Sequence, residues 1–544
     1  MDATKTLSSA LEFATPLSIS RSLSNTSIST FLLLALSSSV FYLAAHAFYQ
    51  SFFSPLAALP GPWYAAISDF WLITHVVRFR QCRAVQDLFD TYGPVVRVGP
   101  NKVIFCDATA MRSVYCIHKF DKSSYYKSLL TNNNDHAMTT LPHAEHAARR
   151  KAYSSHYIPS NLALFQAELQ NLCLKVVDIL GGAPSGAPVD CLDLLRHLMV
   201  DIIGTTVFGR FPGSLDNWAK NVQDPLATAV YDFPKRGIMR SAVPTWAWNL
   251  VCRIPNMRLR QICDSDRIMA QFVAGRLYEV RANLQAGPVG GEVDAGKKPL
   301  LQRMLLHRVF ATNECMPDTD IISEGMGHLI AGVDTSSTTL SYLLWELSHR
   351  VDIAQRLQAE LDEAMPDRAV IPDAVTLTKL PYLNAFIKEG LRLYGAAPSL
   401  LERVVPSTSQ SGADEGFDLL GYAVPAGTIV STQAWSMHRD ASVFPSPETF
   451  LPERWLHVEG VEGEEERLAL MTQHMMPFGA GARMCGGHAL AQLVMRMAIA
   501  AVARNLNISA DVTHTNERSM EMRDAFVLFP AAKECKLSFD ARKN

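Results

Sequence analysis

Hydrophobic and polar positions divide the chain into an apolar leader, a short alternating segment and a long body with helical periodicity. No formally charged residue lies between Arg21 and Asp69. Ile28 to Tyr49 is mostly apolar, with the runs Phe31-Leu-Leu-Leu-Ala-Leu36 and Val40-Phe-Tyr-Leu-Ala-Ala45. About 20 apolar residues cross a bilayer as a helix, so a transmembrane anchor is predicted over 28–50. Ser37, Ser38, Ser39 and His46 weaken the run without breaking it. A cleaved signal peptide is the competing reading, because Ala45-His-Ala47 has the form of a cleavage site. Against it stand a poor basic leader and the length of the apolar run. Residues 1–27 are Ser/Thr-rich and read as a disordered segment. After the span, Leu59-Pro-Gly-Pro-Trp63 cannot continue a helix and forms a stiff bend, so 51–63 is read as a hinge. Arg78, Arg80 and Arg83 follow it and favour a cytosolic main body.

The remainder, 64–544, shows no internal repeat and no polar linker that would split it, so it reads as one catalytic-size domain. Val95-Val-Arg-Val98 and Lys102-Val-Ile-Phe105 flank Gly99-Pro100-Asn101 and predict a β-hairpin. Helical patterns dominate from about 140 to 390 and include a long helix from Asp318 to Arg350. A Gly-rich loop is expected over Ala286 to Gly296. Short strands return near Phe417 to Thr432, with the turn Pro425-Ala-Gly427, and at Phe526 to Pro530. The expected class is mainly α with small β-sheets.

Composition narrows the function. At 544 residues, 48% hydrophobic and 19% charged, the chain can bury a large core. A net charge of −3 gives no field that would draw the whole chain to nucleic acid. The ten cysteines form no C-x-x-C pair, which argues against zinc fingers and a redox motif and for free thiols.

Candidate chemistry centres on Phe478-Gly-Ala-Gly-Ala-Arg-Met-Cys-Gly-Gly487. One cysteine, Cys485, follows a glycine-rich turn and precedes a helical run from His488 to Arg504. Glycines let backbone amides approach the sulfur, and a helix start beside it lowers a thiol pKa. The bland alternative is a buried structural cysteine. The segment resembles the haem-binding signature of the cytochrome P450 family, Phe-x-x-Gly-x-Arg-x-Cys-x-Gly, matched by Phe478, Gly481, Arg483, Cys485 and Gly487.

Further segments extend the resemblance. Glu389-Gly-Leu-Arg392 lies in an apolar setting, and Pro452-Glu-Arg-Trp455 follows. The resemblance implies a buried structural triad of Glu389, Arg392 and Arg454. Within Ala331-Gly-Val-Asp-Thr-Ser336, a glycine in mid-helix costs about 1 kcal/mol and implies a use. Buried back-bonding to carbonyls is the plain reading of its polar stripe. The family reading is a kink over the haem, where Thr335 hydrogen-bonds O2 and Asp334 relays protons. His143-x-x-His146 has no third ligand in view and is a poor metal site. By resemblance, His146, Arg150 and Arg403 hold haem propionates.

What the resemblance implies is a P450 fold preceded by an N-terminal transmembrane helix. The cofactor would be haem b, with iron held by the Cys485 thiolate. The reaction would be O2 activation and oxidation of a lipophilic small molecule, of the kind found in fungal secondary-metabolite biosynthesis. No flavin or nicotinamide motif is apparent. Electrons would come from NADPH-cytochrome P450 reductase, with cytochrome b5 as an optional second donor, docking near Arg149 to Lys151. The location would be the endoplasmic reticulum membrane, single-pass. Pocket walls are expected at about 118–135, 327–335, 396–402 and 522–528, with Leu329, Ile330, Ala396, Ala397, Leu400 and Val527 among them. The alternatives are an isomerase, dehydratase or peroxygenase that needs no redox partner, or a non-enzymatic haem-binding protein.

Overall fold

The computed structural model describes residues 28–184, 186–243, 245–286, 297–308, 313–407 and 416–542. The expected disordered segment 1–27, and all but the first residue of the Gly-rich loop Ala286 to Gly296, lie outside the described residues.

The principal helices are α1 (Ile28–Phe52), α2 (His143–Lys151), α3 (Cys191–Phe208), α4 (Pro225–Ala242), α5 (Met257–Ala286), α6 (Asp318–His349), α7 (Pro381–Tyr394) and α8 (His488–Asn505). The fold is mainly helical with small sheets, as the periodicity predicts. α6 runs through the middle. It is helical without a break from Asp318 to His349. The use of that glycine is close packing: a Cβ there would come within 2.5 Å of Ile203 on α3. Asp190 starts α3 by accepting hydrogen bonds from the amides of Leu192 and Asp193.

The main sheet contains β1 (Val95–Gly99), β2 (Lys102–Phe105), β3 (Asp121–Lys122), β4 (Arg403–Val404) and β5 (Ile429–Ser431), in the order β1-β2-β5-β4-β3. β1 and β2 form the predicted hairpin. The antiparallel β3–β4 pair sets Lys122 directly opposite Arg403. Near the C-terminus, β6 (Met522–Ala525) and β7 (Val527–Pro530) pair around Phe526, whose φ of 69° makes the tight turn.

α1 is apolar enough over Thr30–Phe52 to cross a membrane, and none of that stretch is buried in the protein. Its C-terminal end is tied to the body. Arg97 on β1 is 3% exposed and donates to the Gln50 carbonyl at 2.8 Å, the Gln50 Oε1 at 2.6 Å and the Pro100 carbonyl at 2.9 Å. A cation at a helix C-terminus is favoured by the helix dipole. The Pro-Gly-Pro bend is strapped to the same strand, with the Arg97 amide donating to the Pro60 carbonyl at 2.8 Å.

Candidate functional site

The cysteine loop is shaped by its glycines. Gly479 and Gly481 have φ of 74° and 67°, a region that favours glycine. A Cβ on Gly481 would overlap the Tyr115 carbonyl. The loop closes where the Cys485 amide donates to the Phe478 carbonyl at 2.8 Å. Tyr153 packs on Gly486 and Tyr157 on Gly487. Phe478 sits 6.0 Å from the ring of His488, between centroids.

Cys485 is reachable by solvent yet deep in the molecule, because it faces open interior space. Burial pushes its thiol pKa up. The amides of Gly487 and His488 and the charge of Arg150 pull the other way and do not win. The expected net lowering is therefore corrected: for the free thiol, desolvation outweighs the helix start. A bound metal ion would deprotonate the thiol outright.

A group of cations surrounds this loop. Arg483 donates to the Thr140 carbonyl at 2.8 Å and the Leu141 carbonyl at 2.6 Å, while its buried Nε has no partner. Arg150 donates to the Ala482 and Met484 carbonyls at 3.1 and 2.6 Å. Arg403 donates to the Glu402 carbonyl at 2.8 Å and lies over the Tyr115 ring at 4.8 Å. Lys122 donates to the Met138 carbonyl at 2.7 Å. Among the described residues none of these four has a carboxylate within ion-pair distance.

The electrostatics register the crowding. Burial, then Arg403 and Arg483, hold Lys122 well below its ordinary pKa. Burial and Arg403 lower Arg483 to about 10. His146 is buried and lowered to about 3 by burial, Arg483 and Lys122, so it is neutral. Like charges facing each other across a β-pair, as Lys122 and Arg403 do, are unfavourable unless an anion joins them. The donor set suits a flat ligand with carboxylates on its rim and a metal that takes a thiolate. A haem fits that description. Lys122 was not among the sequence candidates, because the β3–β4 register that places it cannot be read from spacing.

Glu389, Arg392 and Arg454 are brought together and buried. Arg392 grips the carboxylate with two bonds of 2.8 and 2.9 Å, and Arg454 Nε adds a third at 3.0 Å. The Trp455 indole and the Leu451 amide each donate at 2.9 Å. The link to the cysteine loop runs through His438, another residue the sequence did not flag. Its Nδ1 pairs with the Arg392 carbonyl at 3.0 Å, and its Nε2 accepts from the Met476 amide at 2.8 Å. Burial lowers His438 to about 3, so the ring is neutral and bridges as donor and acceptor.

On α6 the expected acid–hydroxyl pair is split. Thr335 donates to the Ala331 carbonyl at 2.6 Å, and Ala331 is exposed to interior space. Asp334 is buried and pairs instead with Arg196 of α3 at 3.2 Å. Burial raises its pKa against the pull of Arg196 and Lys235. Consecutive helix residues point about 100° apart, so one faces the cavity and the other faces α3. One more expectation changes. Leu329 and Leu400 belong to packed core clusters rather than to a pocket wall. Arg149 turns toward Asp320 at 3.3 Å.

The Cytochrome P450 family profile matches residues 60–537. A cytochrome P450 monooxygenase cypX of Dothistroma septosporum is 28% identical, over 90% of this chain and 92% of its own length. The monooxygenase stcB of Emericella nidulans is 28% identical, over 90% and 89%. Tryprostatin B 6-hydroxylase of Aspergillus fumigatus is 26% identical, over 88% and 79%. With a match that spans most of its length, a thiol set in the signature loop and a haem-compatible ring of cations, this chain belongs to the cytochrome P450 family.

Proposed function

We propose that this monooxygenase binds haem b through Cys485 and oxidises a lipophilic small molecule of fungal secondary metabolism. The observation that carries the reading is the set of cations beside Cys485, Lys122 and Arg403 buried and Arg150 and Arg483 half-buried, that lack carboxylate partners among the described residues. When bound, the haem supplies activation of O2, one oxygen atom entering the substrate and the other leaving as water. The chain's own residues would do the rest. Cys485 ligates the metal, and Gly481 and Gly487 keep the loop close. Arg483, Arg403, Arg150 and Lys122 take the propionates, with neutral His146 beside them. Phe478 would pack at the head of the loop, against His488. Glu389, Arg392 and Arg454, acting through His438, keep the loop in register. Thr335 presents its hydroxyl to the cavity, and Asp334 can move a proton only by releasing Arg196.

The domain division follows: an anchor over 28–50, a hinge over 51–63 and a catalytic domain over 64–544. The exposed apolar α1 supports attachment to the endoplasmic reticulum membrane with the body in the cytosol. A redox partner is needed, and NADPH-cytochrome P450 reductase, with or without cytochrome b5, is the proposed one. A relative named as a hydroxylase supports hydroxylation.

The test is the carbonyl spectrum of the reduced, purified protein, followed by NADPH-dependent turnover with added reductase. A thiolate-type carbonyl band and reductase-dependent turnover are expected. Turnover that ignores the reductase would favour the isomerase, dehydratase or peroxygenase alternative. A protein that carries no haem would sink the reading.

A further inference from the structure

Asp334 faces α3 and is held by Arg196. A different row, four polar residues and the exposed Ala331, runs along another face of α6. Asp320, Glu324, His328, Ala331 and Thr335 fall within an arc of about 80° on an ideal helix. The row spans about 22 Å. Its outer end, Asp320, has a side chain 25% exposed, 3.3 Å from Arg149. Its inner end is Thr335, beside exposed Ala331.

Between these ends lie two buried atoms without a partner among the described residues, Glu324 Oε1 and His328 Nε2. Glu324 is 2% exposed. Its Oε1 is 3.7 Å from Arg149 Nη1, which is also unpartnered. That gap is too long for a hydrogen bond and suits a bridging water. His328 Nδ1 pairs with the Tyr157 hydroxyl at 3.0 Å. With the tyrosine donating, Nε2 carries the hydrogen and can orient a second water. The ring of Tyr153 lies 4.9 Å from His328 and closes the row on the α2 side.

We propose that protons enter the cavity along this row, through Glu324 and waters positioned by His328, rather than through Asp334. Glu324 is the proton-delivering residue and His328 a positioning residue. In each transfer the Glu324 carboxyl gives one proton to a water on the cavity side and regains one from the Asp320 end. No electron moves. The ring of His328 stays neutral, since burial holds its pKa near 3. Glu324 is suited to exchange, because burial raises it to about 7 against the Ala137 amide and Arg149, with Asp320 adding to the rise. The buried imidazole of His136 packs on Gly327 of the same helix and is neutral, lowered to about 4 chiefly by burial.

The inference rests on the monooxygenase reading, so the holoprotein is first checked for its thiolate-type carbonyl band. Loss of that band from the unaltered protein would overturn both. Glu324→Gln, Glu324→Asp and Asp334→Asn holoproteins are then compared, each shown to stay folded across the assayed pH range and matched to the unaltered protein in its carbonyl band. The first readout is infrared absorption of a protonated carboxyl that titrates near pH 7, which should vanish in Glu324→Gln. The second is NADPH oxidation with added reductase across pH, in H2O and D2O. Glu324→Gln should lose on the order of 10²-fold and its pH dependence around neutrality. Glu324→Asp should recover part of the rate, and Asp334→Asn should lose about twofold or less. The route is refuted if Glu324→Gln keeps the rate and pH profile of the unaltered protein, or if Asp334→Asn shows the larger loss.

Discussion

Two charge clusters lie near the cysteine loop, and they are built on opposite rules. In the Glu389–Arg392–Arg454 cluster the carboxylate receives five hydrogen bonds, from Arg392, Arg454, Trp455 and Leu451. The guanidinium groups spend their other donors on carbonyls such as Pro447 and Pro445. In the second cluster Lys122, Arg150, Arg403 and Arg483 meet carbonyls and tyrosines but, among the described residues, no carboxylate within ion-pair distance, and Arg483 Nε has nothing. A closed cluster specifies the fold. An open one of a single sign leaves the fold strained until an anion arrives. The difference separates structure from binding without reference to any relative.

The comparison can be broken in several places. The largest effect is expected from Cys485→Ser, which should abolish the thiolate-type carbonyl band and all reductase-driven turnover while leaving both clusters intact. Glu389→Gln should destabilise the fold by about 3–5 kcal/mol, because two arginines lose their counter-charge in a dry site. Urea unfolding followed by circular dichroism measures it.

Glu324 lies between these extremes, with one distant cation. Burial holds its carboxyl at about 7, so the folded chain keeps a proton that the unfolded chain has already lost. Stability should therefore fall as pH rises from about 4.5 to 7, and Glu324→Gln should remove that slope, a difference of about 3 kcal/mol at pH 8. Denaturant midpoints across pH check both the sign and the window.

Arg403→Met sharpens the contrast most directly. Removing one charge from the open cluster should raise apoprotein stability by about 1 kcal/mol while speeding haem loss. Equal destabilisation of both forms would mean the cluster is structural after all. The smallest change in stability, about 0.5 kcal/mol or less, is expected for Thr335→Ala, because its hydroxyl only back-bonds to its own helix. Its effect should appear instead as reductant consumed without product.

Much of this was legible in the chain. The cysteine loop and the Glu389–Arg392 pair are short local patterns, Arg454 was supplied by the family resemblance, and the hairpin, the apolar helix α1 and α6 follow from periodicity. What spacing cannot reveal is which distant segments meet. Lys122 joins Arg403 only through a two-residue strand pair, and His438 reaches Met476 across a loop. Arg196 lies 138 residues before the acid it holds. Nor does periodicity tell which side of a helix buried on all sides faces a cavity. For that reason the sequence alone points Leu329 to the wall and pairs Asp334 with Thr335, where the structure packs Leu329 in the core and turns Asp334 to Arg196.

The bond from Arg97 to the last turn of α1 has a mechanical consequence. A helix capped by a side chain of the globular body cannot swivel independently of it. In a bilayer, any lean of that helix would be transmitted to the enzyme as a whole. The length and slant of one apolar rod would thus set the height and heading at which the interior opens toward lipid.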